Sequence, residues 1–192
     1  MVKLSKIQNV PNLEEYGVEV SDLLEARAIL LERLGKKDEA NQAWKKVTEY
    51  LEVEAKTLPA GSPARGFTLE RIEALTEGEE LDSAYRLAND YRQRFPDEFT
   101  FHYLAASILE QQKKYNDAIP IAKRAFDLSY GDNRVRVATL LIRLYATIPD
   151  RGAASRIYDQ VTREIKPDPS LDIRTSRYLH NLDDIWKKFP AS

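Results

Sequence analysis

From Ser21 onward the apolar residues recur in steps of three and four, the spacing of one face of an α-helix. Leu24, Ala28, Leu31 and Leu34 form the first such stripe, with Ser21 as the expected N-cap and Gly35 as the stop. Asp38 is the expected cap of a second stripe through Ala40, Ala43, Trp44, Val47 and Leu51, broken only by Glu54. Two amphipathic helices joined by so short a link must fold back as an antiparallel hairpin. Segment 56–66 carries Pro59, Gly61 and Pro63 and excludes a continuous helix, and Ser62-Pro63 reads as a cap followed by proline at the first helical position.

Three further stretches repeat the pattern. Leu69, Ile72 and Leu75 run out to a turn at Gly78, and Leu81, Ala84, Leu87, Ala88 and Tyr91 return towards Pro96. Phe101, Leu104, Ala105, Ile108 and Leu109 run out, and Tyr115, Ala118, Ile119, Ala122, Ala125 and Phe126 return, with Pro120 expected in the first turn, where a missing amide costs little. Val137, Ala138, Leu141, Leu144 and Tyr145 precede a turn at 149–152, and Ala154, Ile157, Tyr158 and Val161 follow it. A last helix is expected over 170–189, with Leu171, Tyr178, Leu182, Ile185 and Phe189 on one stripe. Pro11 and Gly17 break up residues 1–20, which read as an extended arm.

The small residue near the start of each return helix sets a period: Ala40, Ala84, Ala118 and Ala154 lie 44, 34 and 36 residues apart. The stretch 99–132 is the clearest copy. Its Ala105-Ala106, Leu109, Tyr115, Asp117-Ala118-Ile119 and Ala125 stand in the pattern of a tetratricopeptide repeat, which the chain resembles over 21–168. The copies at 21–54, 65–98 and 135–168 are degenerate, with Arg27 and Val47 departing in the first and Ile72 and Ile142 replacing a small residue in the others. The resemblance implies an all-α fold, a right-handed superhelix of stacked antiparallel helix pairs. In that fold 1–20 is an N-terminal arm, and 169–192 forms a C-terminal capping helix that covers the apolar face of the last pair.

The resemblance also implies a function. The first helices of successive pairs line a groove for an extended peptide or a helix. Matching positions here are Glu25, Ile29, Glu70, Glu73, Tyr103, Ser107, Arg136, Thr139 and Arg143. Glu25, Ile29 and Glu70 stand where some members carry a basic clamp for a C-terminal carboxylate, so binding of chaperone tails is disfavoured. The expected role is a non-enzymatic adaptor or scaffold for a segment of another protein. The alternative is self-association through the arm, whose Val10, Leu13, Tyr16 and Val18 are apolar, or through the end repeats.

Composition narrows the remaining classes. The chain has 192 residues, 43% hydrophobic and 31% charged, with a formal net charge of −2. Charge is uneven: residues 133–192 carry 11 Lys and Arg against 7 Asp and Glu, while the first 132 residues are net acidic. Such a balance gives no global pull towards nucleic acid or anionic membrane. Arg134, Arg136, Arg143, Arg151, Arg156 and Arg163 cluster in sequence, but only Tyr145 and Tyr158 stand among them and acidic residues dominate the rest of the chain, so nucleic acid is not the expected partner. The absence of cysteine removes disulfides, Cys-based zinc sites and thiol nucleophiles. His102 reads as a packing residue, and neither it nor His180 has a metal-ligand companion at one-turn spacing. Glu77-Gly78-Glu79-Glu80 lacks the alternating ligands of a calcium loop, and no phosphate loop or nucleophile elbow occurs. No catalytic residue, metal or cofactor is therefore assigned. No apolar run is long enough to span a bilayer, and MVKLSKIQNVPN has no signal-like apolar core, so a cytoplasmic location is expected.

Overall fold

The structure, a computed structural model, describes residues 19–58, 65–148, 150–166 and 172–189. Among these residues every regular element is helical: α1 Val20–Arg33, α2 Lys37–Thr57, α3 Arg65–Glu77, α4 Leu81–Arg94, α5 Phe99–Gln111, α6 Tyr115–Leu128, α7 Gly131–Thr147, α8 Arg151–Glu164 and α9 Ile173–Lys187. The arm up to residue 18 and the Ser62-Pro63 cap lie outside the described residues. The chain divides into two compact units, Met1–Leu87 and Ala88–Ser192, and the division falls inside α4. No described helix is long and apolar enough to cross a membrane.

The turns between the helices of the first three pairs are the same turn. Gly35, Glu79 and Lys113 have φ of 70°, 61° and 60°, in the left-handed region. At each, the amide of that residue and the next reach back to close the preceding helix: Gly35 N to Glu32 O (2.8 Å) and Lys36 N to Leu31 O (2.9 Å), Glu79 N to Thr76 O (3.1 Å) and Glu80 N to Leu75 O (2.8 Å), Lys113 N to Glu110 O (2.9 Å) and Lys114 N to Leu109 O (2.8 Å). This paired closure is the Schellman motif. The return helix begins two residues later, and five residues after the left-handed residue comes Ala40, Ala84 or Ala118, at most 1% exposed. The alanine period is thus the register of a repeated turn. The fourth pair turns differently: Asp150 caps α8 through Ala153 N (2.8 Å), and Ala154 follows, fully buried.

Several local expectations are corrected. Ser21 lies inside α1 and is buried, because the helix starts at Val20 with Glu19 before it. Lys36, not Asp38, occupies the N-cap position of α2, since the turn at Gly35 hands the chain directly to the next helix. Gly78 is not the left-handed residue. A Cβ there would lie 3.1 Å from Trp44 Cβ and 3.2 Å from Ala74 O, so glycine serves a close approach of α2 while Glu79 takes the strained conformation. Pro120 sits in the second turn of α6, where it leaves the Asn116 carbonyl without its usual helical donor. α9 begins at Ile173 and is capped by Asp172, which accepts from Thr175 N (2.9 Å) and Thr175 Oγ1 (2.7 Å).

In the first unit, α1 lays Leu24, Ala28 and Leu31 against Ala43, Trp44, Val47 and Leu51 of α2, and Phe67 and Ala74 of α3 complete this cluster. The small side chains let the helices approach closely, and Trp44 fills the groove between them. Its indole Nε1 donates to Glu32 Oε1 (2.7 Å), which satisfies the ring's one polar group. Arg71 of α3 donates to Glu52 of α2 (2.6 Å).

In the second unit, α5 pairs with α6 and α7 with α8, α6 packs on α7, and α9 packs on α7 in turn. α7 buries residues almost all round its axis, from Val135 to Tyr145, because α5, α6, α8 and α9 all surround it. Ile142, bulky where the repeat pattern wants a small residue, is fully buried there. The buried side of α9 is Thr175, Leu179 and Leu182, with Phe189 buried just beyond its end, and it is shifted from the expected stripe: Tyr178 and Ile185 are only half-buried. Tyr158 of α8 stacks on Trp186 (4.9 Å between centroids) and donates to Asp183 (2.7 Å), which ties α8 to α9 and, with burial as the larger cause, pushes the phenol pKa up to about 12.

Candidate interaction faces

The nine residues expected to line a groove divide between the two units, and their surroundings differ in character. In the first unit, Glu25 and Ile29 lie on α1 and Glu70 and Glu73 on α3. Burial, then the charges of Asp22 and Glu73, raise the Glu25 carboxyl above its ordinary pKa. Burial, then Glu25, Glu19, Glu73 and Asp22, do the same to Glu70. Glu77 is raised by burial and then by Glu32 and Glu73. Glu25 of α1 and Glu70 and Glu73 of α3 thus act on one another across the two helices, the like charges raising the pKa of Glu25 and Glu70. Ile29 is 38% exposed beside them.

In the second unit the face is aromatic and cationic. Tyr103 of α5, Arg136 of α7 and Tyr178 of α9 stand in a row across three helices. The Arg136 guanidinium carbon lies 5.0 Å from the Tyr103 ring centroid and 5.9 Å from that of Tyr178. Both are cation–π distances, and one donor of Arg136 also reaches Asn133 Oδ1 (3.3 Å). One turn along α5 from Tyr103 is Ser107, half-buried. Two turns along is Glu110, which holds Arg143 of α7 by two parallel bonds of 2.8 and 2.6 Å. That pairing raises the pKa of Arg143 and commits much of its guanidinium to the neighbouring helix. Thr139 is 5% exposed and its hydroxyl donates to Val135 O (2.8 Å), so it is a packing residue of α7 with little to offer a partner.

Tyr103 and Arg136 are thus brought together, and Arg143 is placed beside them but internally paired. Glu110 and Tyr178 escaped the sequence reading. Glu110 was findable: it lies seven residues after Tyr103, hence on the same helical face, and carries the sign opposite to Arg143. Tyr178 was not, because its neighbour Arg136 is 42 residues away in a chain where no local spacing links the two. His102 is buried at 5% exposure and hydrogen-bonds through Nε2 to Pro96 O (3.0 Å), a packing role.

No family model matches this sequence, and no curated protein matches it. Solved structures do. Two crystal structures of the nearly identical TPR-like repeats of a kinesin light chain-like protein from Podosopora anserina superpose with a TM-score of 0.59 at 15% identity, one covering 85% of this chain and 84% of that one, the other 97% and 88%. A thermophilic tetratricopeptide repeat protein of Thermus thermophilus superposes with a TM-score of 0.50 at 17% identity, over 84% of this chain and all of that one. At such identities the likeness establishes architecture, and it agrees with the repeated turn and its buried alanine: this chain has the all-α, tetratricopeptide-like helical-repeat fold.

Proposed function

We propose that the chain is a non-catalytic protein-interaction module that holds a polypeptide segment of another protein on the faces of its outbound helices. The observation that carries this reading is the Arg136 guanidinium lying between the rings of Tyr103 and Tyr178 on three different helices. Tyrosine and arginine are the residue types that most often supply interface hot spots, since each buries a large apolar body while keeping polar ends to orient a ligand. A row of them held by packed helices loses little conformational freedom on binding. The acidic face around Glu25, Glu70 and Glu73, with Ile29, would favour basic and apolar residues in a bound segment.

A displayed library of random peptides, panned on the full chain, tests this. An enriched family of peptides is expected, and Tyr103→Ala and Arg136→Ala should each weaken the best peptide at least tenfold, about 1.4 kcal/mol, with the helical circular dichroism unchanged. Absence of any enriched family, or full retention of binding by both variants, rejects the proposal.

A further inference from the structure

The charges around the Tyr103–Arg136–Tyr178 row do not balance. Arg143, two turns along α7 from Arg136, is held by Glu110 through two bonds. Arg174 of α9 is held by Asp132 of α7 (2.6 Å). Asp132 lies one turn before Arg136, the position from which a carboxylate ordinarily pairs with an arginine along a helix. Its charge is directed to α9 instead, and Arg136 keeps only the neutral amide of Asn133 (3.3 Å). Arg177 is exposed, and its guanidinium carbon lies 5.7 Å from the centroid of the same Tyr178 ring that Arg136 approaches at 5.9 Å. The residues one turn from Arg177 on α9 are Ile173, Arg174, His180 and Asn181, none of them acidic. Two guanidinium groups thus share one tyrosine ring, and among the described residues neither meets a carboxylate.

We propose that this face of the second unit selects acidic segments of a partner protein, one side-chain carboxylate pairing with Arg136 and a second with Arg177. The inference rests on the peptide-binding reading above and specifies the chemistry of the ligand. Glu110 on Arg143 shows the form such a contact takes, two parallel bonds between a planar guanidinium and a carboxylate. The partner's carboxylates supply at Arg136 and Arg177 what Glu110 and Asp132 supply at Arg143 and Arg174. Side-chain carboxylates are the anions chosen because the other two arginines of this face are each closed by one. The half-buried rings of Tyr103 and Tyr178 restrict Arg136 before any ligand arrives, so little conformational freedom is lost when the pair forms. Opposite charge across the contact also excludes basic segments, which the acidic surroundings of Glu25 and Glu70 favour.

Two libraries of random peptides, blocked at both ends and panned on the full chain, test this. One carries two glutamates at fixed positions and the other two lysines. The glutamate library should yield binders, and exchanging either glutamate for glutamine in the best peptide should weaken it at least tenfold. That loss should fall below twofold for one glutamate in Arg136→Gln and for the other in Arg177→Gln. The comparison changes the peptide within each protein, so it holds whatever the variants do to stability. Enrichment from the lysine library alone overturns the inference and leaves the interaction reading standing. So does a glutamate exchange that costs nothing, or costs the same in wild type and in both variants. Enrichment from neither library overturns both. Tighter binding by more than tenfold when phosphoserine replaces a glutamate also overturns the inference, and assigns the face to phosphate.

Discussion

Arg143 of α7 and Glu110 of α5 form a two-bonded ion pair, Nε to Oε1 at 2.8 Å and Nη2 to Oε2 at 2.6 Å, that joins two outbound helices of the second unit. The side chain of Glu110 is only 20% exposed, so its charge depends on this partner more than a surface carboxylate would. Replacing Arg143 by Met should destabilise the chain by about 1–2 kcal/mol, the range for a charge-assisted pair losing one member. A double-mutant cycle with Glu110→Gln should return a coupling near 1 kcal/mol. Additive effects in urea titrations would show that the pair contributes geometry alone.

The repeated turn yields a paired test. Lys113 occupies a left-handed conformation that costs a side-chain-bearing residue about 1–2 kcal/mol relative to glycine. Lys113→Gly should therefore stabilise the chain by about 0.5–1 kcal/mol, after the greater flexibility of glycine in the unfolded chain is subtracted. Gly35→Ala should do the reverse, by about 1 kcal/mol, even though nothing lies within 4 Å of the added Cβ. Thermal unfolding of the two variants checks both signs. A neutral result at both positions would remove the turn from the list of determinants of the fold.

Ala118 is fully buried, in the return helix that pairs with α5. Ala118→Leu adds three carbons where the packing leaves no room and should cost about 1–3 kcal/mol. Lys123→Leu, at an exposed position of α6, should be close to neutral. Equal unfolding midpoints for the two variants would contradict close helix contact at the alanine.

His102 makes stability depend on pH. Burial, aided by Arg92 and Arg124, holds its imidazole below the ordinary value of 6.5, against the opposing pull of the Pro96 carbonyl and Asp97. With Nε2 bonded to Pro96 O, Nδ1 is buried without a partner among the described residues, so a second proton would have no acceptor. The unfolded chain takes up that proton near pH 6.5 while the folded chain resists it. The contribution is thus complete above 6.5 and is lost as the pH falls below it. Urea unfolding at pH 7.5 and pH 5.5 should show a decline in wild type that His102→Gln reduces. An equal decline in both proteins would place the titration elsewhere.

The helix pairs and their phase were legible because both rest on local chemistry. Three- and four-residue apolar spacing needs no partner to be recognised, and the buried alanines mark where return helices begin. Helix starts were less legible. Ser21 and Asp38 are good caps in isolation, but the N-cap positions of α1 and α2 fall two residues earlier, at Glu19 and Lys36, because the approach of the chain and the turn at Gly35 set where the first hydrogen bond closes. Glu79 and Lys113 concealed two of the three left-handed turns, since neither residue type announces that conformation and packing imposes it.

Local spacing along the chain is enough to specify helices, their pairing and the alanines that let them close. Which polar side chains meet is set by the packing of whole helices. The pairing of Arg143 with Glu110, the placement of Arg136 between Tyr103 and Tyr178, and the burial of Thr139 all join or surround residues on different helices. Their distances depend on how whole helices pack, and no local spacing encodes that.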